Sequence, residues 1–112
     1  NRQCADCQSR DPKWASVTVG IIICETCAGI HRKLGTHLTT VKSTSLDKWK
    51  PEWVATVKAI GNAKAAAFYE HSVPEEDRYQ GSATASQGDK LDVQEGKKLD
   101  KWIRNKYEHL KY

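Results

Sequence analysis

The chain has 112 residues, of which 38% are hydrophobic, and it combines a mean hydropathy of −0.70 with a formal charge of +4. This length fits one domain, because a split would leave two undersized cores. No apolar run reaches the roughly 18 to 20 residues of a membrane-spanning helix, and no signal-peptide pattern is present, so we expect a cytoplasmic protein. Both signs of charge are interspersed, which argues against a dedicated nucleic-acid binder.

The first segment, residues 1–37, contains all four cysteines, in two pairs separated by sixteen residues: Cys4-x2-Cys7 and Cys24-x2-Cys27. This spacing is typical of a four-thiolate zinc site. Zinc bound by four thiolates is closed to water and substrate, so we expect one structural Zn²⁺ per chain. The alternatives are two disulfides, which need an oxidising compartment, and a redox-active cysteine pair.

Between and after the cysteine pairs the pattern alternates between strand and helix. Residues 17–19 and 21–23 are β-prone runs broken at Gly20, residues 25–34 are helical and end before Gly35, and residues 39–41 are β-prone again. His31 and His37 follow the last cysteine. We expect them to pack or to form hydrogen bonds, because four sulfurs already saturate zinc.

Two consecutive helices are expected between residues 51 and 69. Pro51 suits a first helical position, Gly61-Asn62 should end or kink the first helix, and residues 63–69 are alanine-rich. The apolar residues of the first helix recur at helical spacing: Trp53, Val54, Val57 and Ile60. We expect these helices to cover the zinc-bearing half.

A polar surface connection is expected over residues 71–98, followed by a final amphipathic helix. Its apolar face carries Leu99, Trp102, Ile103, Tyr107 and Leu110, and its intervening positions carry Lys101, Arg104, Lys106 and Lys111. We expect this face to pack on the core, with a membrane-surface helix as the alternative. The predicted fold is therefore α+β: one domain over residues 1–112, with a zinc module at about 1–37 and a helical remainder at about 38–112. It has a small three-stranded sheet and a four-cysteine zinc finger surrounded by several helices.

The residues around the cysteines resemble those of the Arf GTPase-activating domain family. The resemblance rests on the runs at 4–7, 14–16 and 24–37, and it continues through 41–43, 46–49, 61–62 and 102–107. It implies a GTPase-activating protein for a GTP-bound Arf-family small GTPase, in which Arg32, five positions after the last cysteine, serves as an arginine finger. An arginine suits this task because its guanidinium stays charged and presents a fork of donors to phosphate oxygens.

The chain lacks a Gly-rich, Lys-bearing phosphate loop, so it has no GTPase site of its own. GTP and Mg²⁺ are therefore expected on the partner only. Trp14 and Asp47 also match family positions. We expect Trp14 to pack beside the zinc site, and Asp47 either to cap the following helix or to support Arg32.

Three positions depart from the common family pattern, namely Thr18, Ile22 and Thr44, and they bear on which GTPase is preferred. Two alternatives remain: a non-catalytic Arf-binding module of the same fold, and a GATA-like nucleic-acid-binding zinc finger, which should carry a more basic helix. The resemblance further implies a cytoplasmic monomer that functions in vesicle trafficking and is recruited to Golgi or other vesicle membranes through its partner or through segments outside this sequence.

Overall fold

The computed structural model describes residues 3–45, 48–74, 77–79 and 93–110, without the side chains of 93–95. Over these residues the elements follow one another as β1 (Trp14–Ser16), β2 (Ile21–Ile23), α1 (Glu25–Leu34), β3 (Val41–Ser43), α2 (Pro51–Ala59), α3 (Gly61–Tyr69) and α4 (Val93–Tyr107). No described helix is both long and apolar enough to cross a bilayer.

The three strands form one antiparallel sheet in the order β2-β1-β3. The α+β fold with a three-stranded sheet is thereby confirmed. Residues 17–19, predicted as a strand, instead form the connection between β1 and β2, which the Gly20 amide closes by donating to the Ser16 carbonyl at 2.8 Å. Gly20 has a φ of +88°, a conformation that glycine adopts easily and β-branched residues avoid. It therefore closes a tight turn over residues 17–20, and β1 ends before this turn, at Ser16. The predicted run at 39–41 is similarly displaced, to Val41–Ser43.

Helix α1 has the predicted bounds because both of its ends are chemically marked. Cys24 is the N-cap and its Sγ accepts a hydrogen bond from the Cys27 amide, while Gly35 ends the helix with a φ of +101°. The inner face of α1 is buried against the sheet and α4. This burial fixes which residues of α1 face outward.

Helices α2 and α3 differ in how they pack. Helix α3 packs on β2, and Asn62 joins the two elements: its Oδ1 accepts from the Ile22 amide at 2.8 Å. Helix α2 has no buried residue and does not belong to the well-packed pairs of elements in the described part of the chain. The prediction that both helices cover the zinc-bearing half is therefore wrong for α2.

Helix α4 supplies the other side of the core, with Leu99, Trp102, Ile103 and Tyr107 buried as predicted. The helix begins at Val93, inside the stretch 71–98 that was expected to be a connection, and residues 80–92 of that stretch lie outside the described residues. Helix-favouring residues outweigh Gly96, which costs only about 1 kcal/mol in a helix.

Two side chains of the final helix were assigned to the wrong environment. Lys106 is buried, at 1% exposure, although it was predicted at a position between the residues of the apolar face. Leu110 is 61% exposed, because the helix ends at Tyr107 and Leu110 has a φ of 49°. The spacing Leu99, Trp102, Ile103, Lys106 places Lys106 on the apolar face.

Candidate metal centre and arginine site

The two cysteine pairs lie on two local structures: the first pair is in a tight turn at residues 4–9, and the second is at the N-terminus of α1. In the first pair the Cys4 amide donates to the Ser9 carbonyl at 2.8 Å, and Gln8 has a φ of +70°. In the second pair Cys24 caps α1. Backbone amides at 3.4 Å also donate to sulfur, from Asp6 to Cys4 and from Cys27 to Cys24.

The four sulfurs form one cluster that is suited to a metal ion. All four ligand atoms lie within 4.8 Å of one another, and the Sγ atoms of Cys7 and Cys24 are 3.5 Å apart. A tetrahedral ion with metal–sulfur bonds of about 2.3 Å requires sulfur–sulfur separations near 3.8 Å, whereas a disulfide requires about 2.05 Å. The cysteines are free, so this geometry fits a four-thiolate metal site and not two disulfides.

The ionisation of the cysteines depends on this cluster. Burial raises the pKa of the Cys4 and Cys27 thiols, whereas hydrogen bonds from Cys27 and the other two cysteines lower the pKa of Cys24. Metal ligands must be thiolates, so metal binding must displace protons from the two buried thiols. A bound cation compensates the charge of buried thiolates that would otherwise be unfavourable.

His31 is not part of the cysteine cluster but connects it to the arginine helix. Its Nε2 lies 2.8 Å from Asp6 Oδ2, and its Nδ1 lies 3.1 Å from Thr39 Oγ1. Asp6 stands between the two cysteines of the first pair and is fully buried. The predicted hydrogen-bonding role of His31 is confirmed by these contacts.

Asp6 is the centre of a buried polar network. Its Oδ1 accepts from Lys106 Nζ at 2.7 Å and from Tyr107 Oη at 2.6 Å, and its carbonyl accepts from Trp102 Nε1 at 2.9 Å. Burial alone would raise the pKa of Asp6, but the charge of Lys106 and the hydrogen bond from His31 hold it well below its usual range. The carboxylate is therefore ionised and only accepts, so His31 Nε2 carries a proton.

Lys106 is neutralised on two sides. Besides Asp6, its Nζ donates to Glu70 Oε2 at 2.9 Å, and Glu70 also pairs with Arg78 at 2.8 Å. Burial lowers the pKa of Lys106, but the two carboxylates outweigh this effect and raise it. This network joins α4, the end of α3 and the first cysteine pair to His31, the residue that immediately precedes Arg32.

Arg32 itself is exposed, in the last turn of α1. Its guanidinium carbon lies 4.8 Å from the centre of the half-buried Trp14 ring. Within the described ranges Arg32 forms no ion pair, so its charge is directed at no carboxylate there. The structure thus brings together two of the sequence-predicted site residues, Arg32 and Trp14. Asp47 lies outside the described residues, and its role stays a prediction.

Sequence reasoning missed the Asp6–Lys106 ion pair. One usable signal was present: Lys106 falls on the apolar stripe of α4, where an unpartnered ammonium is costly. Its partner was not readable, because Asp6 lies a hundred residues away in the chain.

Comparisons with known proteins identify the family. Residues 1–112 match the family model described as "ArfGap: Putative GTPase activating protein for Arf". Over all of this chain, "Stromal membrane-associated protein 1" of Mus musculus is 41% identical, across 22% of its own length. "ADP-ribosylation factor GTPase-activating protein AGD12" of Arabidopsis thaliana is 42% identical, across 31% of its length.

A solved structure gives the same picture of the fold. The ArfGap domain of human RIP superposes with a TM-score of 0.74 and 25% identity, covering 99% of this chain and 75% of that one. The chain thus spans between a fifth and a third of the length of the two curated relatives above. Matched from end to end by the family model and carrying the clustered cysteines, the chain belongs to the ArfGap family.

Proposed function

We propose that this chain is the catalytic domain of a GTPase-activating protein that stimulates GTP hydrolysis on an Arf-family GTPase, with Arg32 as the arginine finger. The observation that carries the proposal is the exposed guanidinium of Arg32, which pairs with no carboxylate among the described residues and lies on a helix anchored at its first turn. The name of the Arabidopsis relative, an ADP-ribosylation factor GTPase-activating protein, supports the choice of partner.

Stimulation of GTP hydrolysis requires a positive charge at the phosphate oxygens in the transition state. Arginine remains protonated and donates in a planar fork, which suits phosphate oxygens better than the point charge of lysine. Stacking on Trp14 restricts the side chain without using its in-plane N–H donors. Arg32 can therefore present those donors to a partner.

Placement matters because a displacement of about 1 Å can reduce a rate on the order of a hundredfold. Helix α1 is fixed at its first turn by Cys24 and Cys27 and one residue before Arg32 by the His31–Asp6 hydrogen bond. We propose that these anchors serve to hold Arg32 in position. Asp47 is proposed as a supporting residue for Arg32 or as a helix cap.

The metal of the cysteine cluster is proposed to be one Zn²⁺ per chain, because four thiolates favour zinc. It would be held by Cys4, Cys7, Cys24 and Cys27 and would supply folding energy, with no open position for a substrate. GTP and Mg²⁺ would remain on the GTPase. A cytoplasmic monomer that is recruited to vesicle membranes in trafficking stays a prediction.

A non-catalytic Arf-binding module of the same fold is the competing function. The presence of Arg32 favours the catalytic function over this alternative. The decisive experiment is single-turnover GTP hydrolysis on a panel of GTP-loaded small GTPases, with and without the purified chain. Stimulation of at least one Arf-family member, with none of Ras- or Rho-type members, is expected; binding to an Arf without any stimulation would establish the non-catalytic alternative.

A further inference from the structure

A second group of cationic and aromatic side chains lies beyond the arginine site, and we define Lys42, Lys50, Trp49 and Trp53 as the lysine–tryptophan patch. The ammonium groups of Lys42 and Lys50 lie 5.1 and 5.4 Å from the centre of the Trp53 ring. Trp49 meets Trp53 edge to face, with ring centres 6.4 Å apart. The Trp53 ring thus has two positive charges close to it.

No member of the patch is fully buried: Lys50 is exposed, and Lys42, Trp49 and Trp53 are half-buried. Helix α2, which carries Trp53, buries none of its residues, and Val54 is 36% exposed. Lys42 and Lys50 form no ion pair within the part of the chain that the structure describes, in contrast to Lys106 on α4. Residues 42–58 hold four lysines and only two acidic residues, so this segment is locally basic. A half-buried aromatic cluster beside lysines that form no ion pair among the described residues is typical of an interaction site.

The patch neighbours the arginine site through the sheet. Trp49 Nε1 donates to the Ser43 carbonyl at 2.8 Å, and Ser43 is the direct cross-strand partner of Trp14 on β1. Trp14 in turn lies under Arg32. The patch therefore adjoins the β1–β3 strand pair at the position of Trp14, the residue whose ring lies beside the Arg32 guanidinium.

We propose that the lysine–tryptophan patch is a second contact surface for the GTPase partner and that it binds an acidic surface of that partner. The inference rests on the proposed function, which places the GTPase at Arg32. A partner that reaches Arg32 lies close to this patch, and lysines that form no ion pair among the described residues attract carboxylates and increase association rates. Trp53 provides apolar area at the centre, where tryptophan contributes most to binding.

Arg32 and the lysine–tryptophan patch have different roles. Arg32 acts on hydrolysis, so its loss lowers the rate at saturation. The patch acts on affinity, so its loss raises the dissociation constant and leaves the rate at saturation unchanged. Lys42, Lys50 and Trp53 would then be specificity-determining residues for the choice of GTPase.

The test compares Lys42→Glu/Lys50→Glu and Trp53→Ala with Lys97→Glu/Lys101→Glu, an equal charge change at exposed positions of α4. Binding to Arf loaded with a non-hydrolysable GTP analogue is measured by calorimetry at several salt concentrations without lipid. Single-turnover hydrolysis is measured at saturating protein. We expect both patch variants to weaken binding at least about tenfold. The affinity of Lys42→Glu/Lys50→Glu should also depend less on salt concentration than that of the wild type. The α4 variant should change the affinity less than about twofold.

Folding controls and a vesicle assay distinguish a failure of the patch from a failure of the proposed function. Unchanged metal content and melting temperature establish folding; if a variant fails this check, Lys42→Gln/Lys50→Gln takes its place, with an expected loss of about threefold or more. Wild-type affinity in the patch variants overturns the proposal even if Arg32 proves catalytic. Wild-type affinity for Arf together with lost sedimentation on phosphatidylserine vesicles assigns the patch to a membrane and also overturns it.

Discussion

Replacement of Lys106 by methionine should destabilise the domain strongly. The lysine is 1% exposed, and its Nζ lies 2.7 Å from Asp6 Oδ1 and 2.9 Å from Glu70 Oε2. Methionine has a similar shape but leaves the Asp6 carboxylate buried with only His31 and Tyr107 as side-chain donors. Removal of one partner of a buried ion pair costs about 3 to 5 kcal/mol.

At roughly 4 °C per kcal/mol for a domain of this size, the melting temperature should fall by about 12 to 20 °C. Thermal unfolding followed by circular dichroism at a fixed free zinc concentration measures this shift. Lys101→Met is the matched control on the exposed side of α4, and it should change stability by no more than about 0.5 kcal/mol.

The double variant Asp6→Asn/Lys106→Met tests the physical reason. It removes the uncompensated carboxylate together with the lysine, so its loss should be smaller than the sum of the two single losses. A Lys106→Met loss below about 1 kcal/mol, or strictly additive losses, would refute the assignment of the pair as a coupled buried interaction.

Three further outcomes are expected. Chelation should remove one zinc per chain and abolish the folded circular dichroism signal, because structural zinc energy is folding energy; a folded metal-free chain contradicts this. Gly20→Ala should cost about 2 kcal/mol or more in chemical denaturation, since its φ is +88° and a Cβ would approach Ile60 to 2.8 Å; Gly96→Ala, with open space, should be neutral or stabilising, and equal effects would be inconsistent with this reading. Trp14→Leu should lower the saturating hydrolysis rate about three- to tenfold at unchanged zinc content, and an unchanged rate would exclude a positioning role for the stack with Arg32.

The sequence predicted those parts of the fold whose signals are local. Helix α1 was placed correctly, because Cys24 and Gly35 mark its ends. The cysteine cluster was also predicted correctly, because the spacing within and between the cysteine pairs is itself the signal. The hydrogen-bonding role of His31 followed from the saturation of the metal by four sulfurs.

The parts that failed depend on contacts distant in sequence. The burial of Lys106 depends on Asp6 and Glu70, which only the fold brings near it. The apolar spacing of α2 resembles that of a core-facing helix, yet Trp53 contacts lysines and Trp49 instead of the core. The β1 boundary depended on the tight turn closed at Gly20, whose positive φ places the run at 17–19 in the connection, so that the strand ends at Ser16.

The central claim is that Arg32 contributes charge to the transition state of GTP hydrolysis. Arg32→Ala and Arg32→Lys should reduce the saturating single-turnover rate on GTP-loaded Arf by roughly 10³ to 10⁵, about 4 to 7 kcal/mol of barrier, with little change in Arf affinity, zinc content or melting temperature. Lys33→Ala, the exposed neighbour in the same helical turn, is the matched control and should retain most of the activity. A folded Arg32→Ala protein that keeps more than about a tenth of the wild-type stimulation would contradict the arginine-finger assignment, because the expected loss is at least about a thousandfold.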